Sequence, residues 1–147
     1  MNHEPGHPSP LVPGWAKSGE AYHVRIRAES FSPLTLTDKQ LAPALLKSAN
    51  LYQDIGRWYC RLFLLMPDHL HALLIFPPHR IMNEVIGDWK ATQAKQLKIQ
   101  WQGNFYEEIV SHGLELEEKA AHIRRNPVVR KLCAKEENWP WAFENPV

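Results

Sequence analysis

The most restrictive feature of the sequence is a pair of apolar segments separated only by a proline turn. Gly56–Met66 reads GRWYCRLFLLM and His69–Phe76 reads HLHALLIF. Both segments are rich in the branched and aromatic residues that are typical of β-strands. The Pro67-Asp68 pair between them favours a tight turn. These residues therefore predict a β-hairpin in the middle of the chain.

Periodicity on either side of the hairpin predicts the other elements. Residues 21–28 alternate, with His23, Arg25 and Arg27 on one face of a strand and apolar side chains on the other. Helical spacing covers about 39–51, after a cap at Thr37 or Asp38, then 82–99 and 115–125, and residues 101–110 favour a strand. The order predicts an α+β fold, a ferredoxin-like βαββαβ antiparallel sheet with an additional C-terminal helix.

Length and composition favour one domain. The chain has 147 residues, of which 44% are hydrophobic, and a net charge of +1 that does not by itself indicate a nucleic-acid partner. We expect a flexible N-terminal arm over residues 1–18, a domain over 19–143 and a tail over 144–147. No apolar run has the roughly 18 residues that span a bilayer. Two distant cysteines, Cys60 and Cys133, favour reduced thiols in a cytoplasmic protein without a membrane partner.

A His-x-His pair begins the second strand of the hairpin. His69 and His71 are two residues apart, so their side chains lie on the same face of the strand, and Leu73 and Ile75 continue that face. Two imidazoles on one face can bind a divalent metal and leave positions open for a third ligand and a substrate oxygen. The alternative is two ordinary histidines beside a turn, because the pattern is short and common.

Several motifs, in order along the chain, resemble one family. LLMPDHLHALLIF at 64–76 resembles a hydrophobic strand that runs into Met-Pro, an Asn, Asp or Glu, and His-x-His-x-Leu, a signature of the HUH single-tyrosine transposases. Four further segments are similar to the REP-associated tyrosine transposase branch of that family: GEAYHVRIRAES at 19–30, WQGNFYEEIV at 101–110, HIRRNPVVRKL at 122–132 and NWPWAF at 138–143. The resemblance covers about residues 19–143.

The resemblance implies an enzyme that cleaves and rejoins single-stranded DNA on a ferredoxin-like fold. It implies that His69, His71 and Asn126 bind Mg²⁺ or Mn²⁺, and that a tyrosine attacks the scissile phosphate to form a 5′-phosphotyrosine intermediate. Single-stranded or hairpin DNA is the implied partner. Both a monomer and a homodimer occur among such proteins, and the short 110–114 connection favours a site within one chain.

The sequence departs from the family at the position of the nucleophile. In the REP-associated branch the tyrosine is the first residue of a Tyr-Ile-x-x-Asn-Pro motif, and here that residue is His122. Three interpretations remain open: a catalytically inactive, domesticated module that binds DNA hairpins, a nucleophile supplied by Tyr106, or His122 itself acting as nucleophile or metal ligand. Tyr106 could equally be a packed aromatic residue.

Basic residues near the predicted site could bind DNA phosphates. The candidates come from the first strand, the second long helix and the region around the Asn-Pro pair: Arg25, Arg27, Lys90, Arg124, Arg125, Arg130 and Lys131. Trp58, Trp89, Trp101 and Phe105 could stack on unpaired bases. The alternative for each is a solvated charge or a core aromatic residue.

Overall fold

A computed structural model describes residues 11–147, so residues 1–10 of the predicted arm lie outside the described part. Helix α1 spans Gly14–Ser18, within the segment that the sequence predicts to be a flexible arm. Ala16 of this helix is fully buried, and Val12 and Trp15 pack against the apolar cluster around it. Packing against the domain therefore explains the local helix, which the Pro and Gly content of the segment concealed.

Ten further elements follow along the chain: β1 (Ala21–Ala28), α2 (Leu41–Asp54), β2 (Tyr59–Leu65), β3 (His69–Ile75), α3 (Met82–Leu97), β4 (Trp101–Val110), α4 (Leu114–Arg124), α5 (Asn126–Val129), a 3-10 turn (Glu136–Asn138) and β5 (Ala142–Glu144). The predicted cap of α2 is confirmed for Asp38, whose Oδ2 accepts the backbone N–H groups of Gln40 and Leu41 at 2.9 and 3.1 Å. β5 had no counterpart in the sequence prediction.

The strands form one antiparallel sheet in the order β4-β1-β3-β2-β5. The predicted α+β architecture is confirmed, with the βαββαβ unit formed by β1 to β4, α2 and α3, and with α4 as the additional helix. The hairpin of β2 and β3 lies inside the sheet and is fully buried. β5 extends the sheet by pairing Ala142–Glu144 with Leu62–Leu64 of β2.

Both faces of the sheet carry an apolar cluster. On one face Val24, Phe63 and Leu70 pack with residues of α2 and α3 such as Leu45 and Trp89. On the other face Leu64, Leu73 and Ile75 pack with one side of α4, the residues Leu116, Ala120 and Ile123. α4 covers only part of its face, and the polar ends of β1, β3 and β4 extend beyond that apolar contact.

The register of the sheet places polar residues of three strands side by side. Arg25 of β1 pairs with His71 of β3 on one side and with Tyr106 of β4 on the other. Arg27 pairs with His69, and His23 pairs with Glu108. Directly paired residues project to the same face of an antiparallel sheet. These side chains therefore form three adjoining rows on the face that α4 partly covers.

No helix within residues 11–147 combines the length and the apolar character needed to cross a membrane.

Candidate functional site

His69 and His71 direct their side chains toward each other at the start of β3. The Nε2 atoms of the two imidazoles lie 3.2 Å apart, and the residues are only 3% and 6% exposed. This arrangement follows from the strand, because residues two apart share a face. The turn at Pro67-Asp68 leaves this end of β3 open, while Leu73 and Ile75 close the other end against α4. The two ring nitrogens thus share one small volume at the rim of the sheet.

Each imidazole of this pair is held by a second residue through its other ring nitrogen. Nδ1–H of His69 donates to Oδ1 of Asp68 at 2.6 Å. Nδ1 of His71 lies 2.9 Å from Nε2 of His23, and the two rings are stacked with centroids 5.2 Å apart. Such outer partners fix ring orientation at metal sites. Asp68, His69, His71 and His23 therefore form one continuous hydrogen-bonded chain.

The three imidazoles are neutral at pH 7. Burial, the largest cause, lowers the pKa of His71 to about 3 and that of His23 to about 4. Burial also lowers the pKa of His69, although the hydrogen bond to Asp68 opposes that shift. A neutral imidazole has a lone pair on one nitrogen and can bind a metal, whereas a protonated one cannot.

The geometry of the pair fits a divalent cation. Two ligand atoms about 2.1 Å from one cation, and about 90° to 110° apart, lie roughly 3.0 to 3.4 Å from each other. The observed 3.2 Å between the Nε2 atoms falls in that interval. Within residues 11–147, no cluster of three or more His, Cys, Asp or Glu side chains could hold a metal. A third protein ligand would therefore come from another residue type, such as the amide of Asn126.

All five residues predicted as catalytic or metal-binding line one cleft of about 350 Å³: His69, His71, Tyr106, His122 and Asn126. The other residues that line it are His23, Arg25, Arg27, Glu108, Lys119, Ile123 and Arg130. β1, β3 and β4 form its floor, and α4 with the start of α5 forms one wall. His69 and His71 lie in the floor, and His122 and Asn126 belong to the wall. The structure therefore brings these five predicted residues, which are up to 57 positions apart, together within one chain.

Tyr106 lies on the floor of the cleft as an exposed residue and not as a packed one. The residue is 42% exposed, and Cζ of Arg25 lies 4.9 Å from the ring centroid. The hydroxyl donates to Oε2 of Glu108 at 2.7 Å, and this hydrogen bond is the main cause that raises the pKa of Tyr106. The phenol is therefore accessible, protonated at neutral pH and hydrogen-bonded to a carboxylate of its own strand.

The wall of the cleft presents four residues at helical spacing. Lys119 and His122 are three apart on α4, and Ile123 and Asn126 are three apart across the α4–α5 junction. Nζ of Lys119 lies 2.8 Å from Oε1 of Glu108, which links the wall to the floor. The amide nitrogen Nδ2 of Asn126 donates to the carbonyl of Ile123 at 3.1 Å, which leaves Oδ1 as the atom able to bind a cation.

The predicted DNA-binding residues separate into two groups. Arg25, Arg27 and Arg130 line the cleft together with Lys119, and among residues 11–147 one carboxylate, that of Glu108, lines it with them. The other four candidates do not line this cleft in the part of the chain that the structure describes. They are Lys90, Arg124, Arg125 and Lys131.

Two of these four residues have partners elsewhere. Lys90 donates from Nζ to the carbonyl of Gln102 at 2.9 Å, and its helix α3 covers the opposite face of the sheet. Arg124 pairs with Glu144 at 2.8 Å and with Glu136 at 3.8 Å. Arg125 and Lys131 are exposed. Neither Lys90 nor Arg124 is therefore presented to a ligand in the cleft.

For Trp58 and Trp89 the structure supports the alternative of core aromatic residues and not stacking on bases. They are 1% and 0% exposed, and they pack against each other with ring centroids 5.9 Å apart. Their position between α3 and the sheet places them in the core on the face opposite the cleft.

Sequence reasoning missed Asp68, Glu108 and Lys119. Asp68 lies in the predicted turn, Glu108 in the segment 101–110 and Lys119 in the predicted helix 115–125, and no pattern in the sequence indicates a role for them in the site. His23 lies on the predicted polar face of the first strand, and its contact with His71 is not indicated by the sequence. The strand register that brings these groups together involves residues 40 or more positions apart, which local patterns do not encode.

Comparison with solved structures places the fold among transposases. The chain is similar to a REP-associated tyrosine transposase bound to a REP hairpin, with a TM-score of 0.72, 16% identity, and coverage of 84% of this chain and 76% of that one. It is also similar to a proposed transposase from Deinococcus radiodurans R1, with a TM-score of 0.52, 17% identity, and coverage of 83% and 95%. No family model and no curated protein matches the sequence. At this identity the similarity establishes the fold, which is the fold that the motifs implied.

Proposed function

We propose that the chain is a REP-associated-type, transposase-like protein that binds single-stranded or hairpin DNA and, with Mg²⁺ or Mn²⁺, cleaves and rejoins one strand. The observation that carries the proposal is the convergence of the His69 and His71 Nε2 atoms, 3.2 Å apart, in a cleft that also contains Tyr106, His122 and Asn126. The shared fold with a transposase bound to a REP hairpin supports the choice of DNA.

The cleft offers cationic groups for a phosphodiester. Arg25 and Arg27 lie in the floor next to Tyr106 and His69, and Arg130 lies near Asp68 and His69, whose pKa values it affects through its charge. Guanidinium groups bind phosphate oxygens by paired hydrogen bonds. A divalent cation bound by His69, His71 and Asn126 would neutralise charge on the scissile phosphate. The arginines would orient the DNA strand over the imidazoles of His69 and His71.

Tyr106 is the tyrosine of the cleft and is assigned as the nucleophile. Its Oη attacks the phosphorus, the Oη–P bond forms and the bond from phosphorus to the 3′ oxygen breaks. The phenolic proton passes to Glu108 or to water, and the departing 3′ oxygen takes up a proton from solvent. The products are a 5′-phosphotyrosine and a free 3′-hydroxyl, and attack by a 3′-hydroxyl reverses the step. The hydroxyl must leave Glu108, its present partner, to make this attack.

The second candidate is a non-catalytic module that binds hairpin DNA. Two observations favour it. Residue 122, the nucleophile position of the resembled family, is a histidine, and the Tyr106 hydroxyl is engaged by Glu108 at 2.7 Å with a raised pKa. Such a protein would keep the arginines of the cleft and the metal site and would form no covalent adduct.

A covalent-adduct assay separates the two candidates. The protein is incubated with end-labelled hairpin DNA that carries a single-stranded flank, with Mn²⁺, and is then resolved in SDS. We expect a labelled adduct that Tyr106→Phe, His69→Gln and His71→Gln abolish. Tyr52→Phe is the matched control, because Tyr52 packs on the opposite face of the sheet. Salt-sensitive binding without an adduct would establish the second candidate, and absence of both binding and adduct would reject both.

A further inference from the structure

A third buried histidine in the site makes no contact that the proposed chemistry requires. His23 of β1 is 8% exposed, and its Nε2 lies 2.9 Å from Nδ1 of His71. The nitrogens Nδ1 and Nε2 of His71 thus each face another imidazole, His23 and His69 respectively. A neutral imidazole has one N–H donor and one acceptor. In a chain of hydrogen-bonded imidazoles, a terminal partner that can only accept therefore determines which nitrogen of each ring carries the proton. We call that partner the fixed end.

The fixed end of this set is Asp68. Its carboxylate can only accept, so Nδ1 of His69 carries the proton and Nε2 of His69 is an acceptor. Nε2 of His71, 3.2 Å away, then donates to it. Nδ1 of His71 is therefore an acceptor and takes the N–H of His23 Nε2. In the metal-free protein all three hydrogen bonds are directed from His23 toward Asp68.

A cation shared by the imidazole pair is incompatible with this order. Both Nε2 atoms must then present lone pairs, so the proton of His71 has to be on Nδ1. Nδ1–H of His71 would face His23 Nε2 and needs an acceptor there. His23 can become that acceptor because a neutral imidazole can carry its proton on Nδ1 instead.

We propose that His23 is the positioning residue of His71, and that its hydrogen bond to His71 reverses direction when a divalent cation binds. The protons balance: His71 loses one from Nε2 to solvent and gains one at Nδ1 from His23 Nε2, and His23 gains one at Nδ1 from solvent. The three imidazoles remain neutral. The inference rests on the proposed metal site and adds a residue outside the His-x-His pair, His23, which orients one of the two proposed ligands.

The tautomers are measurable by long-range ¹H–¹⁵N correlation spectra of the full chain labelled with ¹⁵N-histidine. Without metal we expect His69 protonated at Nδ1, and His71 and His23 both protonated at Nε2. At saturating Mg²⁺, which is diamagnetic, His71 and His23 are both expected to be protonated at Nδ1. A metal-free His71 already protonated at Nδ1, or a His23 that keeps its tautomer when Mg²⁺ binds, would overturn the proposal.

Affinity for Mn²⁺ alone gives the second readout, from the electron paramagnetic resonance signal of the free ion. His23→Leu removes the acceptor and is expected to weaken Mn²⁺ binding roughly 10- to 100-fold, the usual effect of losing an outer-shell partner. His23→Gln, whose side-chain oxygen can accept from Nδ1–H of His71, is expected to retain most of the affinity. His79→Leu is the control, at an exposed histidine in the turn after β3.

The outcomes distinguish this inference from the function on which it rests. Wild-type affinity in a folded His23→Leu protein, checked by its thermal transition, would reject the role of His23 and leave the proposed metal site intact. Equal loss in His23→Leu and His23→Gln would show that shape and not hydrogen bonding is required, and would also reject the role. A wild-type protein that binds neither Mg²⁺ nor Mn²⁺ would reject the metal-dependent function and the inference together.

Discussion

Arg61 of β2 forms a two-point ion pair with Glu117 of α4. Its Nη2 lies 2.6 Å from Oε1 and its Nε lies 3.1 Å from Oε2 of the same carboxylate. Nη1 of Arg61 also binds Glu144 of β5 at 2.8 Å, and Arg124 of α4 binds the same Glu144 oxygen at 2.8 Å. This group of charges fastens the helix that forms the wall of the cleft to the sheet that forms its floor.

Removing both acids that bind Arg61 is expected to cost more stability than removing Arg61. The arginine side chain is 8% exposed, so Glu117→Gln with Glu144→Gln leaves a buried charge without a counter-charge and should lower the free energy of unfolding by about 3 kcal/mol. Arg61→Met leaves carboxylates that are 54% and 33% exposed and can be hydrated, for a loss of about 1 kcal/mol. Urea unfolding measures both.

The control for that comparison is Glu118→Gln, at the exposed residue next to Glu117 on α4. It should change the free energy of unfolding by less than about 0.5 kcal/mol. If Arg61→Met lowered the free energy of unfolding more than the double variant does, Arg61 would not be a buried charge that requires its two carboxylates.

The Arg61–Glu117 pair should also make stability depend on pH in the acid range. The hydrogen bond from Arg61 lowers the pKa of Glu117 below the ordinary 4.5. A lowered pKa in the folded state stabilises the protein above the unfolded pKa, and this stabilisation is lost as the pH falls through the folded pKa. The difference in free energy of unfolding between wild type and Glu117→Gln should therefore shrink from about pH 6 to about pH 3. A constant difference would rule out this linkage.

Glu108 is expected to control the ionisation of Tyr106. The hydrogen bond to Glu108 is the main cause that raises the pKa of Tyr106, so Glu108→Gln should lower that pKa toward 10. Absorbance titration of each protein minus its Tyr106→Phe counterpart isolates this one phenol. Glu107→Gln serves as control, because its side chain projects to the other face of the sheet. An unchanged pKa in Glu108→Gln would mean that the hydrogen bond does not persist in solution.

Position 122 should accept a tyrosine as nucleophile. His122 is an exposed residue that lines the cleft from α4, so His122→Tyr places a phenol on the wall opposite Tyr106. In a Tyr106→Phe background, His122→Tyr is expected to restore the covalent DNA adduct in the SDS assay. If Tyr106→Phe alone, without His122→Tyr, still formed the adduct, another residue would be the nucleophile.

Hairpin binding should depend on the arginines of the cleft and not on Lys90. Arg25→Gln, Arg27→Gln and Arg130→Gln are each expected to weaken binding and to reduce the slope of log affinity against log salt by about 1. Lys90→Gln should leave both quantities near wild type, because Lys90 donates to Gln102 beside the opposite face. Fluorescence anisotropy at several salt concentrations measures the slopes, and an equal effect of Lys90→Gln would place the DNA elsewhere.

Alternation and helical spacing predict the fold, because both patterns are contained in adjacent residues, whereas Tyr106, His122 and Asn126 became candidates only through the family resemblance. His69 and His71 share a face by strand geometry alone. The contacts of Asp68, Glu108 and Lys119 depended on register and on the docking of α4, which arise from packing across the sheet. β5 could not be predicted for a related reason, because a strand of three residues is too short to show an alternating pattern.

That short fifth strand connects the C-terminal residues to the helix that forms the wall of the cleft. Glu144 holds Arg61 and Arg124 at once, so a deletion that begins at Ala142 would leave two guanidinium groups without this partner and loosen α4. A tag or fusion joined after Val147 should be separated from β5 by a spacer. A fusion that displaced β5 would remove the contacts of Glu144 with Arg61 and Arg124, and with them one attachment of the cleft wall to the sheet.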